Sequence, residues 1–206
     1  MTQRYHHGAL AAALVDAALA LIEEGNGAPS LREVARRAGV SAMAPYRHFE
    51  DRAALLGAVA KDGFEKLGAA LTQADVAPTP AEALVAQGRA YIEFALSHPM
   101  LFRLMFAGGP SRAPTSADGG YDVLAHRAAE IAPGAGPATA LACWSLVHGL
   151  ATLTIDQRLG DLDPGTMEAA LRLLVDGVIA QQLAGAVRFH RCRRLGSGRS
   201  GLSHPC

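Results

Sequence analysis

Cysteine is scarce in this chain of 206 residues, and Cys143, Cys192 and Cys206 sit in three unrelated contexts. No CxxC or Cys/His spacing suggests zinc, and an odd count makes a poor disulfide framework, so a reducing, cytoplasmic setting is expected. Aromatic residues are only 5% of the chain, and no strand pattern stands out along it. That argues against a β-sandwich or barrel, and abundant alanine favours helix. Net charge is absent too, with 19 basic against 19 acidic residues, which excludes nucleic-acid binding by bulk charge but leaves room for a local basic face. At 50% hydrophobic and 18% charged, the composition excludes an unfolded polyampholyte. There is no GxSxG, no GxGxxG after a strand, no Walker sequence and no HExxH, so neither an enzyme nor a cofactor is expected.

Charge is missing altogether between Ile131 and Ile155. Pro133, Pro137, Ser145, His148 and three threonines dilute that stretch, so it reads as a buried helix rather than a membrane span. The segment MTQRYHHGAL lacks a basic, apolar and cleavage-site succession, and no targeting leader is expected from it.

What is present reads as helix after helix, an all-α chain. Leu10, Leu14, Ala17, Ala18, Leu21 and Ile22 recur at helical spacing from about Ala9 to Glu24, and Gly25-Asn26-Gly27 ends that helix. Ser30 caps a short helix carrying Leu31, Val34, Ala35 and Ala38. Gly39 breaks it, Ser41 caps a second short helix to about Phe49, and Asp51 caps a longer one from Arg52. ADVAPTP at 74–80 reads as a linker. Helices follow from about Ala81 to Ser97, Pro99 to Phe106, Tyr121 to Ile131, Pro137 to Leu159 and Thr166 to Ala186, with a surface loop at 107–120. The last stretch carries five arginines and no acid, and without it the chain is net −5. Three divisions result: a helix-turn-helix domain at 1–52, a helical domain at 53–186, and a basic tail at 187–206 expected to be disordered.

The chemistry concentrates in SLREVARRAGVSAMAPYRHFEDRAALL, residues 30–56. Two short helices around Ala38-Gly39-Val40-Ser41 make a helix-turn-helix. Arg32, Arg36, Arg37 and Arg47 against Glu33 leave residues 31–49 at +3, an excess suited to phosphates. A two-turn helix with small residues at its start fits a major groove about 12 Å wide. Tyr46 and His48 can donate to phosphate oxygens while Phe49 turns inward. Arg52 occupies the first turn of its helix, unfavourable for a cation beside the helix dipole, and a phosphate partner would explain it. Pro45, at the fourth residue of the second helix, removes one backbone bond that the short first turn is expected to tolerate.

The run Ala38-Gly39-Val40-Ser41, Tyr46-Arg47-His48-Phe49, Asp51-Arg52 and Leu55-Leu56 resembles the DNA-binding domain of the TetR family of bacterial transcriptional regulators. Arg4-Tyr5-His6-His7-Gly8 and Trp144-Ser145-Leu146-Val147-His148-Gly149 resemble the branch named for its Trp and His-Gly signature. The chain departs from that pattern where Ala9 replaces a common acidic cap and Arg52 a common lysine. The resemblance implies a homodimeric regulator, most often a repressor, that binds a palindromic operator in double-stranded DNA and is released by a small-molecule effector. It implies phosphate contacts from Ser30 and Arg32, base edges facing Ser41, Ala42 and Met43, and backbone contacts from Tyr46, His48 and Arg52, with Arg47 able to reach guanine or phosphate. It also implies an effector pocket among the later helices. The aromatic and methionine side chains there are Tyr91, Phe94, Met100, Phe102, Met105, Phe106, Trp144 and His148, so an apolar or aromatic effector is conceivable, and ordinary core packing is the competing account of each. A helical protein-interaction module whose front helices are merely structural is the alternative from a different class. Salt-dependent DNA binding separates the two.

Overall fold

The computed structural model describes residues 7–25, 27–107 and 120–196. The family motif at residues 4–6, most of the expected surface loop and the tail from 197 with Cys206 lie outside the described residues. Eight α-helices run in order: α1 His7–Glu23, α2 Leu31–Arg37, α3 Arg52–Ala74, α4 Pro80–Ser97, α5 Pro99–Phe106, α6 Gly120–Ile131, α7 Gly136–Ile155 and α8 Pro164–Gly196. A short 3-10 turn, Pro45–Arg47, lies between α2 and α3, and no strand occurs among the described residues. Two compact units emerge, one from 1–73 with 91–122 and one from 74–90 with 123–206.

In the first unit, α1 contributes the fully buried Leu14 and Ala18, and α2 contributes Leu31, Val34 and Ala35. Between them Gly25 and Gly27 take positive φ values of 79° and 74°, which explains the glycines at that turn. Ser30 is the N-cap of α2. Its hydroxyl accepts from the Glu33 N–H at 3.3 Å, and the Glu33 carboxylate reaches back to the Ser30 N–H at 2.7 Å. This reciprocal box satisfies two of the free donors at the helix start. Ser30→Ala is expected to cost about 1 kcal/mol, read as a lowered denaturant midpoint with an unchanged slope. No change in midpoint would dismiss the cap.

Asp51 starts α3 by accepting from the Ala54 N–H at 2.8 Å. Along α3, Leu55, Val59, Leu67 and Leu71 form the buried stripe. Helix α5 packs on α1. Its own N-cap residue, His98, makes no side-chain cap. The carboxylate of Glu23 takes that place, accepting the Leu101 N–H at 3.2 Å. Against α3, α5 is so close that a Cβ on Gly63 would meet Met105 Sδ at 2.8 Å, which is why glycine occupies that position.

The second short helix of the helix-turn-helix is not a regular α-helix. From Ser41 the chain takes successive tight turns, with Ala44 N–H bonded to Ser41 O, Arg47 N–H to Ala44 O and His48 N–H to Pro45 O. The physical reason is Pro45. It has no N–H to complete an α-helical bond to Ser41, so the Ser41 carbonyl is taken one residue earlier by Ala44. Ring burial holds the kink in place, since Pro45 and Phe49 are both buried beneath the segment. The expectation that the first turn would tolerate Pro45 is therefore corrected.

The second unit comprises the front of α4, most of α6, and α7 packed on α8. Helix α7 is long and apolar enough to cross a bilayer, the one such helix among the described residues. Ala140, Cys143, Val147 and Ala151 form its buried stripe, while Leu141 and Leu153 are exposed. It ends at Ile155, short of the expected Leu159, where Gln157 takes a positive φ of 54°. Helix α8 continues to Gly196, past the expected end near Ala186. Residues 187–195 contain neither Gly nor Pro, so nothing local stops the helix. The stretch expected to be disordered from 187 is thus helical as far as 196.

Asp75, Gln87, Arg127 and Glu130 tie the second unit together. Arg127 forks onto both oxygens of Asp75 at 2.8 and 3.2 Å and reaches Glu130 at 2.8 Å. The Arg127 guanidinium, helped by the Gln87 amide, holds the Asp75 carboxyl below its usual range. A depressed carboxylate stabilises the fold above its unfolded pKa, and that contribution disappears as pH falls through the lower folded value. Asp75→Asn is therefore expected to lower Tm at neutral pH and to lose that deficit in acid, once pH has fallen through the lowered folded value of Asp75. An equal deficit at both pH values would remove the ion pair from the explanation.

Candidate nucleic-acid interface

The helix-turn-helix presents its expected reading residues outward. Ser41, Ala42 and Met43 are exposed, Met43 by 67%, and Tyr46 is exposed by 46%. Three consecutive turns thus project Ser41, a methyl, a thioether and a phenol from one short protrusion, buttressed from below by Pro45 and Phe49. Arg32, Arg36 and Arg47 are exposed, and none pairs with a carboxylate among the described residues. Arg37 differs, because both nitrogens of its fork bind Glu24 at the end of α1. That pair consumes part of the local basic excess and ties α2 to α1. His48 is half-buried at the base of the protrusion, its ring 6.5 Å from that of Phe49.

Two residues expected at phosphate have internal partners. The Ser30 hydroxyl lies 2.7 Å from the Glu33 carboxylate, a negative neighbour for any phosphate. Hydrogen bonds from Ser30 hold the Glu33 carboxyl below its usual range, so it stays charged at neutral pH. Arg52 donates through Nε to the Pro29 carbonyl at 3.2 Å and through Nη2 to the Ala28 carbonyl. The sequence puzzle of a cation at a helix start has an internal answer. The guanidinium spans back to the loop that leads into α2 and satisfies two backbone carbonyls there. Sequence reasoning found Ser30 as a cap but missed Glu33, whose spacing in Ser-x-x-Glu was the available signal. No local signal pointed to the Arg52 bonds, which join residues more than twenty apart.

The residues considered for an effector fall in both units. Tyr91, Phe94, Met100, Phe102, Met105 and Phe106 belong to the first. Four of them, Tyr91, Phe94, Phe102 and Met105, are buried, and ring contacts of Phe102 with Tyr91 at 5.8 Å and Phe106 at 4.9 Å make a packed cluster. Trp144 and His148 belong to the second unit, one turn apart on α7 with ring centroids 5.7 Å apart, and both are half-buried. Burial pulls the His148 pKa below its ordinary value. Among the described residues no group of His, Cys, Asp and Glu is arranged to hold a metal.

A capped helix, a tight turn, and an exposed reading segment flanked by unpaired arginines define a helix-turn-helix DNA-binding unit. The sequence model of bacterial regulatory proteins of the tetR family matches residues 14–59, and that of the tetracyclin repressor-like C-terminal domain matches 84–178. The chain belongs to the TetR family of DNA-binding transcriptional regulators. A protein of unknown function from Rhodococcus sp. RHA1 is 32% identical, with 87% of this chain and 98% of that one covered at a TM-score of 0.70. BioQ of Mycobacterium smegmatis is 25% identical, with 81% and 96% covered and a TM-score of 0.57. The same fold occurs in a TetR variant from Acinetobacter baumannii AYE in complex with minocycline, at 21% identity, 86% and 96% coverage and a TM-score of 0.59. No protein of curated function matches the chain.

Proposed function

We propose that this regulator is a cytoplasmic homodimeric repressor that binds a palindromic operator and leaves it when a small molecule binds. The observation that carries the DNA reading is the outward protrusion of Ser41, Ala42, Met43, Tyr46 and Arg47 beside unpaired arginines. In this reading residues 1–52 bind DNA, residues 53–186 sense and dimerise, and the basic stretch 187–206 adds at most nonspecific attraction. Ala42 and Met43 offer only apolar contact, suited to thymine methyls, and Arg47 can fork onto a guanine. Arg32, Tyr46 and His48 hold phosphates. Ser30 and Arg52 chiefly fix the start of α2, each with at most a supplementary phosphate contact. One short reading segment covers few bases, so a second half-site about 34–36 Å away is required.

Dimerisation has support in the exposed apolar surface of α7 and α8. Leu173, Gly177, Ala180 and Ala184 follow at spacings of four, three and four, all exposed, an apolar row of one leucine and three small residues that admits a close partner helix. The effector reading rests on Trp144 and His148, since the aromatic cluster of the first unit is packed as core. These two residues also carry the proposed membership of the Trp and His-Gly branch.

Selection of duplexes from a random pool by the purified protein, at low and near-physiological salt, tests the proposal. An enriched palindrome with fixed spacing is expected, and recovery of unselected DNA lost with rising salt would refute it. On the enriched operator, Met43→Ala is expected to change preference at one base position by about tenfold. Equal weakening across all operator variants would remove Met43 from base reading.

A further inference from the structure

Gln87, on α4 in the second unit, is 2% exposed, and one end of its amide is tied while the other is not. Its Nε2 donates to Asp75 Oδ1 at 2.8 Å. Arg127 holds that carboxylate by two bonds, so the direction of the Gln87 amide is determined: a carbonyl oxygen cannot face a carboxylate at that distance. The Gln87 Oε1 atom therefore points away from Asp75, and among the described residues it meets no donor. An acceptor stripped of water and left unpaired destabilises the fold, and native interiors keep few of them.

The surroundings are apolar. Ala83 and Leu84, one turn earlier on α4, are buried. At the neighbouring Gly88, a Cβ would meet Leu171 at 3.0 Å and Val147 at 3.3 Å, so α7 and α8 close on this turn of α4. Val147 stands between Trp144 and His148 on α7. Arg127, the cation beside Asp75, is already engaged by both Asp75 and Glu130, so it offers no free charge to a ligand. An oriented acceptor in an apolar setting is the composition of a small-molecule site, where a few polar groups set specificity.

We infer that Gln87 Oε1 accepts a hydrogen bond from a hydroxyl or N–H group of a neutral, mainly apolar ligand bound in the second unit. This rests on the effector reading above and adds the chemical class of the effector. An anionic ligand would meet an acceptor with no compensating cation. A purely hydrocarbon ligand would leave the oxygen unpaired, the circumstance in which a binding site discriminates most strongly.

The test uses the full chain without DNA and two matched pairs of probes: benzyl alcohol with benzyl methyl ether, and cyclohexanol with methoxycyclohexane. A rise in Tm reads binding, and the fluorescence of Trp144, the sole tryptophan and a residue of this unit, supplies a second readout. Each alcohol is expected to bind about tenfold more tightly than its ether. In Gln87→Leu that preference should vanish while ether binding persists. Gln87→Met, which keeps the length of the side chain, serves if the leucine variant fails to fold. Equal affinity within both pairs, absence of binding by both alcohols, or a preference that survives both substitutions would overturn the inference. So would a crystal structure with a protein donor, or a water that the alcohols do not displace, on Oε1. An effector that releases the operator equally well from Gln87→Leu would discard Gln87 and leave effector control standing. An alcohol that binds with the Gln87 preference yet leaves the operator complex intact would support the site and count against its regulatory use.

Discussion

Leu173→Glu combined with Leu183→Glu should yield a folded monomer that no longer holds an operator. Both leucines are exposed, by 74% and 64%, so in an isolated chain the change would alter stability by no more than about 0.5 kcal/mol. In the proposed dimer the same positions would lie against the partner, and carboxylates there would be desolvated without counter-charge. Loss of the dimer removes one of two half-site contacts, so operator affinity should fall by about three orders of magnitude, the lower end of the gap between specific and nonspecific binding. Sedimentation and operator titration check the two halves of the claim separately. A variant that stays dimeric with unchanged operator affinity would move the interface elsewhere. Gly177 provides an independent sign test. A Cβ there meets nothing within 4 Å in the single chain, so Gly177→Ala should gain about 1 kcal/mol if the face is open to solvent. A loss of dimer affinity instead would locate a partner helix at that glycine.

Arg52→Ala is expected to damage both the fold and DNA binding, whereas a pure phosphate clamp would damage only the latter. Its guanidinium bonds two carbonyls, Ala28 and Pro29, immediately before the N-cap of α2. Bonds from a charged donor are stronger than neutral ones, but these are partly exposed, so a loss of about 1–2 kcal/mol of stability is reasonable. Operator affinity should fall by about tenfold or more, because a loosened α2 no longer holds the reading segment in register. Arg52→Lys discriminates the two accounts. Lysine keeps the charge but presents a point cation rather than a planar fork, and it cannot serve both carbonyls in the same way. A lysine variant with the parent's Tm and affinity would mean that charge toward phosphate is the whole role. One that loses Tm nearly as much as alanine would assign Arg52 to bracing the loop.

Helix existence was legible wherever a local signal marked an end. Ser30, Asp51, Pro99 and the Gly25–Gly27 turn each begin or stop a helix through groups within three or four residues, and the element boundaries there agree to within about two residues of the periodic pattern. The reading segment was legible as a site but not as a shape. Its residue types pointed to DNA, and Pro45, which has no N–H, marked the break in α-helical bonding, while the burial of Pro45 and Phe49 beneath the segment is set by the packed chain. The end of α8 differs for another reason: an arginine-rich stretch reads as a solvated tail, yet it holds neither Gly nor Pro, its arginines and Leu195 favour helix, and it follows a helix already nucleated by packing on α7.

By itself, the sequence determined an all-α regulator with a helix-turn-helix near its front, because capping, periodicity and the Gly-Val-Ser turn act over a few residues. Only the tertiary structure decided what the charged and polar groups do. Arg52 bonds a loop more than twenty residues away, Glu23 caps α5 from α1, and Gln87 is aimed by Asp75 and Arg127 across three segments. Composition shows that such groups exist; whether each meets a partner, solvent or nothing is set by long-range contacts that only the packed chain creates.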